Sequence, residues 1–188
     1  MGVNASQKPP IWMVSGSRGA GKSAFCRGVA QSARNAGWDV AGLLSPVQTQ
    51  AGAKTGILAE DLRTGVRRPL ACMARQSQDD LSFGDWYFNR RTLEWGNQVL
   101  EISLPCDLLI VDELGPLELT HKMGWRAALE ILPRAGYRLA LVVIRPELQA
   151  TAQRVFEFST IVEIDRTHPT AHWLHKYWPK MMAINEDL

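Results

Sequence analysis

The chain has 188 residues, 46% of them hydrophobic and 21% charged, with a formal net charge of +2. That length suits one domain, or one domain with an insertion, and is enough for a sizeable core. The near-neutral balance argues against the electrostatic footprint of a nucleic-acid or anionic-membrane binder. The basic pairs Arg67-Arg68 and Arg90-Arg91 are isolated and read as solvated surface. No apolar run approaches the ~20 residues that span a bilayer, and the N-terminus lacks the basic-then-apolar pattern of an export signal. Cys26, Cys72 and Cys106 are odd in number and widely spaced. Small core residues in a reducing cytoplasm are therefore expected, rather than a disulfide framework or a zinc site.

Residues 1–10 are polar and end in Pro9-Pro10, a short flexible arm. Its first residues, MGVNAS, fit the N-myristoylation pattern through Gly2 and Ser6, and equally well a plain polar terminus. IWMVS (11–15) is an apolar strand, followed by GSRGAGKS (16–23) and a helical pattern to about Asn35, with Gly37 placed to stop it. WDVAGLLS (38–45) reads as a second strand, ended by Pro46. Strand, loop, helix and strand in that order make a βαβ unit, so the sheet is at least partly parallel. Residues 47–75 hold short β-like runs split by Gly52, Gly56 and Gly65 and read as a small antiparallel extension. A polar loop (76–85) and a short strand WYFN (86–89) follow. A helix is expected from Arg91 to about Ile102, with Leu93, Val99, Leu100 and Ile102 on its inner face. Beyond the buried strand LLIV, the pattern predicts a helix from about His121 to Leu132, a strand RLALVVI (138–144), a helix near 147–155 and a strand TIVEI (160–164). Such alternation around apolar strands predicts a doubly wound, mostly parallel α/β sandwich.

Two motifs carry chemistry. GSRGAGKS matches G-x-x-x-x-G-K-[ST] through Gly16, Gly21, Lys22 and Ser23, and it lies between a strand and a helix as the mechanism requires. Backbone N–H groups of such a loop solvate phosphate oxygens, and the helix N-terminus adds roughly half a positive charge. Lys22 can reach β- and γ-phosphates, and the Ser23 hydroxyl can coordinate Mg²⁺. The whole segment Gly16, Ser17, Arg18, Gly19, Ala20, Gly21, Lys22, Ser23 and Ala24 is the candidate nucleotide cradle. Arg18 is expected to point to solvent.

The second motif is LLIVDELGPLEL, in which a buried strand runs into Asp112 and Glu113 and is broken by Gly115-Pro116. Ligands of parallel sheets bind at such strand ends. Asp112 is placed to hold the metal, and Glu113 to position and polarise an attacking water. Successive strand residues face opposite ways, so both acids serve one site only where the backbone turns.

Together these motifs resemble the small P-loop nucleoside-triphosphatases of the thermostable and cancer-related type, whose second motif is very close to D-E-I-G-P-M-E-L. GILAEDLRTGVRRPLA and FGDWYFNRRTLE are also similar to segments of that family, so the resemblance covers about residues 11–165. It implies a three-layer RecA-like P-loop fold with an extra strand between the two motif strands. It also implies slow, Mg²⁺-dependent hydrolysis of several nucleoside triphosphates, ATP and GTP included, to diphosphate and phosphate. Lys22 and Ser23 would bind phosphate and metal, Asp112 would support the metal, and Glu113 would activate water. Glu118 belongs to the matched string without an assigned role. The chain departs from the family in carrying Arg18 where Pro is frequent, and Arg145-Pro146 after the strand LALVVI. Arg145 either senses the γ-phosphate or faces solvent.

Residues 166–188 fall outside the resemblance and are expected to form a helix docked on the same domain through Trp173 and Tyr177 or Trp178. His168, His172 and His175 are spaced to share a helix face. A metal site there is the weaker reading, because no thiol or carboxylate completes the shell. Two rivals to hydrolysis stand: a nucleotide or small-molecule kinase, and a nucleotide-bound adaptor or switch that hardly turns over by itself. No nucleic-acid or membrane partner is expected. Base preference, a protein partner and oligomeric state are not legible.

Overall fold

The computed structural model describes residues 8–185, so the Gly2 pattern lies outside the described residues. The elements in order are β1 (Ile11–Ser15), α1 (Lys22–Asn35), β2 (Val40–Leu44), β3 (Val47–Gln50), β4 (Ala53–Asp61), β5 (Arg67–Cys72), β6 (Leu81–Phe83), β7 (Trp86–Phe88), α2 (Arg90–Glu101), β8 (Leu108–Val111), α3 (Pro116–Leu119), α4 (Arg126–Ile131), β9 (Leu139–Val143), α5 (Gln149–Gln153), β10 (Thr160–Glu163) and α6 (Thr170–Met182).

One sheet runs in the order β10, β1, β9, β8, β2, β4, β5, β7, β6, with β3 paired to β4. From β10 to β2 neighbouring strands are parallel; from β2 outward they are antiparallel. β9 separates β1 from β8, the extra strand that the resemblance implied.

Period-two alternation builds a core on each face. In β8, Leu109 and Val111 join one cluster with Leu93, Leu100, Ala128 and Ile131 of α2 and α4. Leu108 and Ile110 join the other with Phe25, Val29 and Ala33 of α1 and with Trp173, Tyr177 and Met181 of α6. The result is a three-layer α/β sandwich. α1 ends as predicted: Gly37 takes φ 82°, and its N–H and that of Trp38 donate to Arg34 and Ala33.

Four local expectations change. Residues 81–83 form β6 instead of loop, pairing with β7 across the Gly84 turn. Ile102 is 72% exposed, because α2 stops one residue earlier and turns it outward. The helix expected from His121 begins only at Arg126, since Lys122 and Gly124 take positive φ. Of the cysteines, only Cys26 is fully buried. Among the described residues, no helix is long and apolar enough to cross a membrane.

Candidate functional site

The loop from Gly16 to Ser23 leaves β1 at the carboxyl edge of the parallel strands and enters α1. Gly16 has φ 149°, and a Cβ there would lie 2.0 Å from the Ile164 carbonyl oxygen, so the loop can pass the end of β10 only as glycine. Lys22 is buried, and its Nζ donates to the Gly16 and Ser17 carbonyls at 2.7 and 3.1 Å. The ammonium thus lies folded across the loop mouth. Ser17, Arg18 and Gly19 are exposed, Ala20 is buried, and Ala24 is exposed in the first turn of α1. Arg166, in the segment between β10 and α6, donates from Nη2 to the Arg18 carbonyl and braces the loop from behind.

Asp112 follows β8 directly and is 3% exposed. Burial pushes its carboxyl upward in pKa, opposed by the Ser23 hydroxyl, the Ser45 N–H and the charges of Lys22 and Arg27. The Ser45 N–H donates to Oδ2 at 3.2 Å, and the Ser45 hydroxyl donates to the Asp112 carbonyl. No ion pair reaches this carboxylate among the described residues. A buried carboxylate beside a serine hydroxyl, without a contacting cation, suits a divalent metal that takes its remaining ligands from water and phosphate. Ser23 and Asp112 are the residues that would hold it.

The peptide bond from Asp112 to Glu113 is cis. The Glu113 side chain is 34% exposed, and its Oε1 lies 2.8 Å from Arg145 Nε. The contact is an ion pair without hydrogen-bond alignment. Burial raises the Glu113 pKa, with Arg145 opposing and Asp112 reinforcing the rise. Arg145, just beyond β9, therefore lies against Glu113 and Glu147 and not free in solvent.

Glu118 is 5% exposed and serves the backbone around these acids. The Gly115 N–H donates to Oε2 at 2.7 Å and the Trp125 N–H donates to Oε1 at 2.8 Å. Asn97 of α2 adds a second clamp, donating to the Gly124 carbonyl and accepting from the Ala127 N–H.

The structure thus gathers Lys22, Ser23, Asp112, Glu113 and Arg145 at one edge. Ser45 and Arg166 had no signal in the sequence beyond lying at strand ends. At the tail, Trp173 and Tyr177 are buried against α1 and β1 residues. His168 and His172 stack with centroids 4.2 Å apart, beside Trp173. Among the described residues, no group of three or more His, Cys, Asp or Glu side chains could hold a metal ion.

Fold and edge geometry define the class: a P-loop α/β protein with a strand inserted between its two motif strands. A family model described as NTPase matches residues 12–168, and the chain belongs to that family. Among curated relatives, nucleoside-triphosphatase THEP1 of Ignicoccus hospitalis is 33% identical over 106 residues, 56% of this chain and 59% of that protein. The match thus spans under two thirds of that relative's length. THEP1 of Methanosarcina acetivorans is 29% identical over 155 residues, 81% of this chain and 86% of that protein. A human cancer-related nucleoside triphosphatase has the same fold, with a TM-score of 0.69 at 16% identity over 93% of this chain and 98% of that chain. THEP1 from Aquifex aeolicus gives 0.64 at 14% identity over 92% and 99%.

Proposed function

We propose that this chain hydrolyses nucleoside 5′-triphosphates, ATP and GTP among several, to diphosphate and phosphate, with Mg²⁺ as cofactor. The observation that carries the reading is the meeting of Lys22 and Ser23 with Asp112 and Glu113 at one strand edge. Family membership and the relatives named nucleoside-triphosphatase support it. The free cysteines fit a cytoplasmic setting.

In this reading the backbone of residues 16–24 cradles the phosphates, and Lys22 exchanges its loop carbonyls for β- and γ-phosphate oxygens. Ser23 and Asp112 would hold Mg²⁺, which when bound would supply charge neutralisation to the phosphates. Glu113 orients a water and accepts its proton. The water oxygen bonds to the γ-phosphorus as the β–γ bridging bond breaks and the diphosphate leaves. Burial makes Glu113 a stronger base than a solvated glutamate, which suits work near neutral pH. Arg145 opposes that rise in basicity and favours the ionised carboxylate.

The test is phosphate release from each common nucleoside triphosphate, with and without Mg²⁺ and with no acceptor added. Transfer only to an added acceptor would favour a kinase, and negligible release a switch. Glu113→Gln should keep nucleotide affinity and lose on the order of 100-fold in kcat; an unchanged rate would remove Glu113 from the mechanism.

A further inference from the structure

The antiparallel wing places a further cation beside the site. β4 pairs with β2 only through Glu60 and Asp61, opposite Leu44 and Leu43. Because the strands run antiparallel, Ala53–Ala59 continues past the carboxyl end of β2. That is the same edge at which Asp112, Glu113 and the phosphate loop lie. At about 3.3 Å per residue the overhang is roughly 20 Å. Its root is fixed: Glu60 takes a bidentate pair from Arg27 of α1 at 2.8 Å and a contact from Arg67 at 2.6 Å. Its tip, the β3–β4 turn, is exposed at Ala51 and Gly52.

Lys54 sits near that tip, half-buried, with Nζ 4.7 Å from the centroid of the Trp86 ring of β7. It makes no ion pair among the described residues, and neither does Arg18. Yet Lys54 is near enough to Arg18, Glu113 and Arg145 for each of these charges to act on it. The overhanging hairpin thus brings Lys54 to the side of the site where Arg145 pairs with Glu113 and where Arg18 of the phosphate loop stands. With Lys22 counted, four cations (Arg18, Lys22, Lys54 and Arg145) stand against three carboxylates (Asp112, Glu113 and Glu147). A half-buried ammonium is disfavoured both by its burial and by the like charges of Arg18 and Arg145. The arrangement becomes favourable when a strongly anionic group enters between them. Charge spread over the three equatorial oxygens of a transferring phosphoryl group is that kind of anion.

We propose that Lys54 is a further catalytic residue for the hydrolysis inferred above: a cation supplied by the chain's own hairpin that contacts the γ-phosphoryl oxygens as the β–γ bond breaks. The proposal rests on that hydrolase reading. Trp86 fixes where the ammonium waits, so it is a positioning residue.

The experiment measures kcat for phosphate release from MgATP together with equilibrium binding of MgADP and of MgADP–aluminium fluoride. It uses the full chain, Lys54→Ala, Lys54→Arg and Trp86→Leu. Lys54→Ala is expected to lower kcat on the order of 100-fold while changing MgADP affinity less than about threefold. It should also weaken the fluoride complex about as much as it slows turnover, because that complex mimics the transferring phosphoryl group. Lys54→Arg should recover most of both, and Trp86→Leu should fall between. Lys54→Ala with a wild-type kcat would overturn the proposal. So would equal losses in MgADP and fluoride-complex binding with no recovery by arginine, which would make the hairpin structural. Absence of phosphate release from the unsubstituted chain would instead overturn the hydrolase reading, and the role of Lys54 with it.

Discussion

On the single carboxyl of Glu113 two influences oppose each other. Burial favours the protonated form, and the Arg145 guanidinium at 2.8 Å favours the ionised form. A base must be ionised to accept a proton, so Arg145 widens the pH range in which Glu113 works. Arg145→Ala removes that pull, and the pKa of Glu113 rises further above the ordinary carboxylate value. The acid limb of kcat against pH should accordingly move to higher pH, with the plateau lowered as well if Arg145 also meets phosphate. A pH–rate profile with its acid limb in place would show that Arg145 does not control this carboxylate. Sequence put Arg145 just after the strand LALVVI but left open whether it senses the γ-phosphate or faces solvent. A strand-end residue before proline can turn either way until a partner is known, and the partner lies 32 positions away in sequence.

At the level of elements, the turn after β8 depends on a residue that entered as an unexplained acid. Glu118 accepts from Gly115, just ahead of α3, and from Trp125, just ahead of α4, and so ties the starts of both helices together. Periodicity predicted one helix across His121–Leu132, and it failed where Lys122 (φ 56°) and Gly124 (φ 61°) reverse the chain. A Cβ on Gly124 would lie 1.9 Å from Glu118 Oε1, so the close approach of backbone to carboxylate requires glycine there. Helical spacing cannot reveal a carboxylate that bridges two backbone N–H groups, because neither donor is encoded by a side chain. Burial raises the Glu118 pKa to about 7. The sign follows from linkage: below its ordinary value of 4.5 the carboxyl is protonated in both folded and unfolded chains. Between 4.5 and about 7 the folded chain holds a proton that the unfolded chain has released, so stability falls as pH rises through that window. Glu118→Gln cannot titrate and should flatten that slope. At pH 4, where both side chains are neutral, it should also lower stability by roughly 1–3 kcal/mol, because its amide can accept from only one of the two N–H groups, and that deficit should shrink as pH rises. Thermal unfolding from pH 4 to 8 measures both; a slope equal to that of the unsubstituted chain would assign the titration elsewhere.

Across the whole molecule the sheet has two parts with different legibility. The parallel half was readable because its strands are continuous apolar runs, its helices alternate with them, and the loop Gly16–Ser23 announces where the edge lies. The antiparallel wing was readable as an extension but not in extent, since Leu81–Phe83 is too short and mixed to signal a strand until it pairs with Trp86–Phe88. Lys54 was missed for the same reason: its importance comes from an overhang set by the register of β4 on β2, which no local pattern encodes. The site unites segments from β1, β8 and β9 and sits against the wing, so ligand binding should tie these parts together. A nucleotide that binds only the folded chain adds RT ln(1 + [L]/Kd), about 2.7 kcal/mol at a hundredfold excess over Kd. For a chain of this size each kcal/mol moves Tm by about 2–4 °C, so saturating Mg²⁺ and a slowly hydrolysed ATP analogue should raise Tm by about 5–11 °C. Lys22→Ala should abolish most of that shift while changing the ligand-free Tm far less, because among the described residues the hydrogen bonds of Lys22 go only to carbonyls of its own loop. A full shift in Lys22→Ala would mean that the stabilising nucleotide binds somewhere other than the phosphate loop.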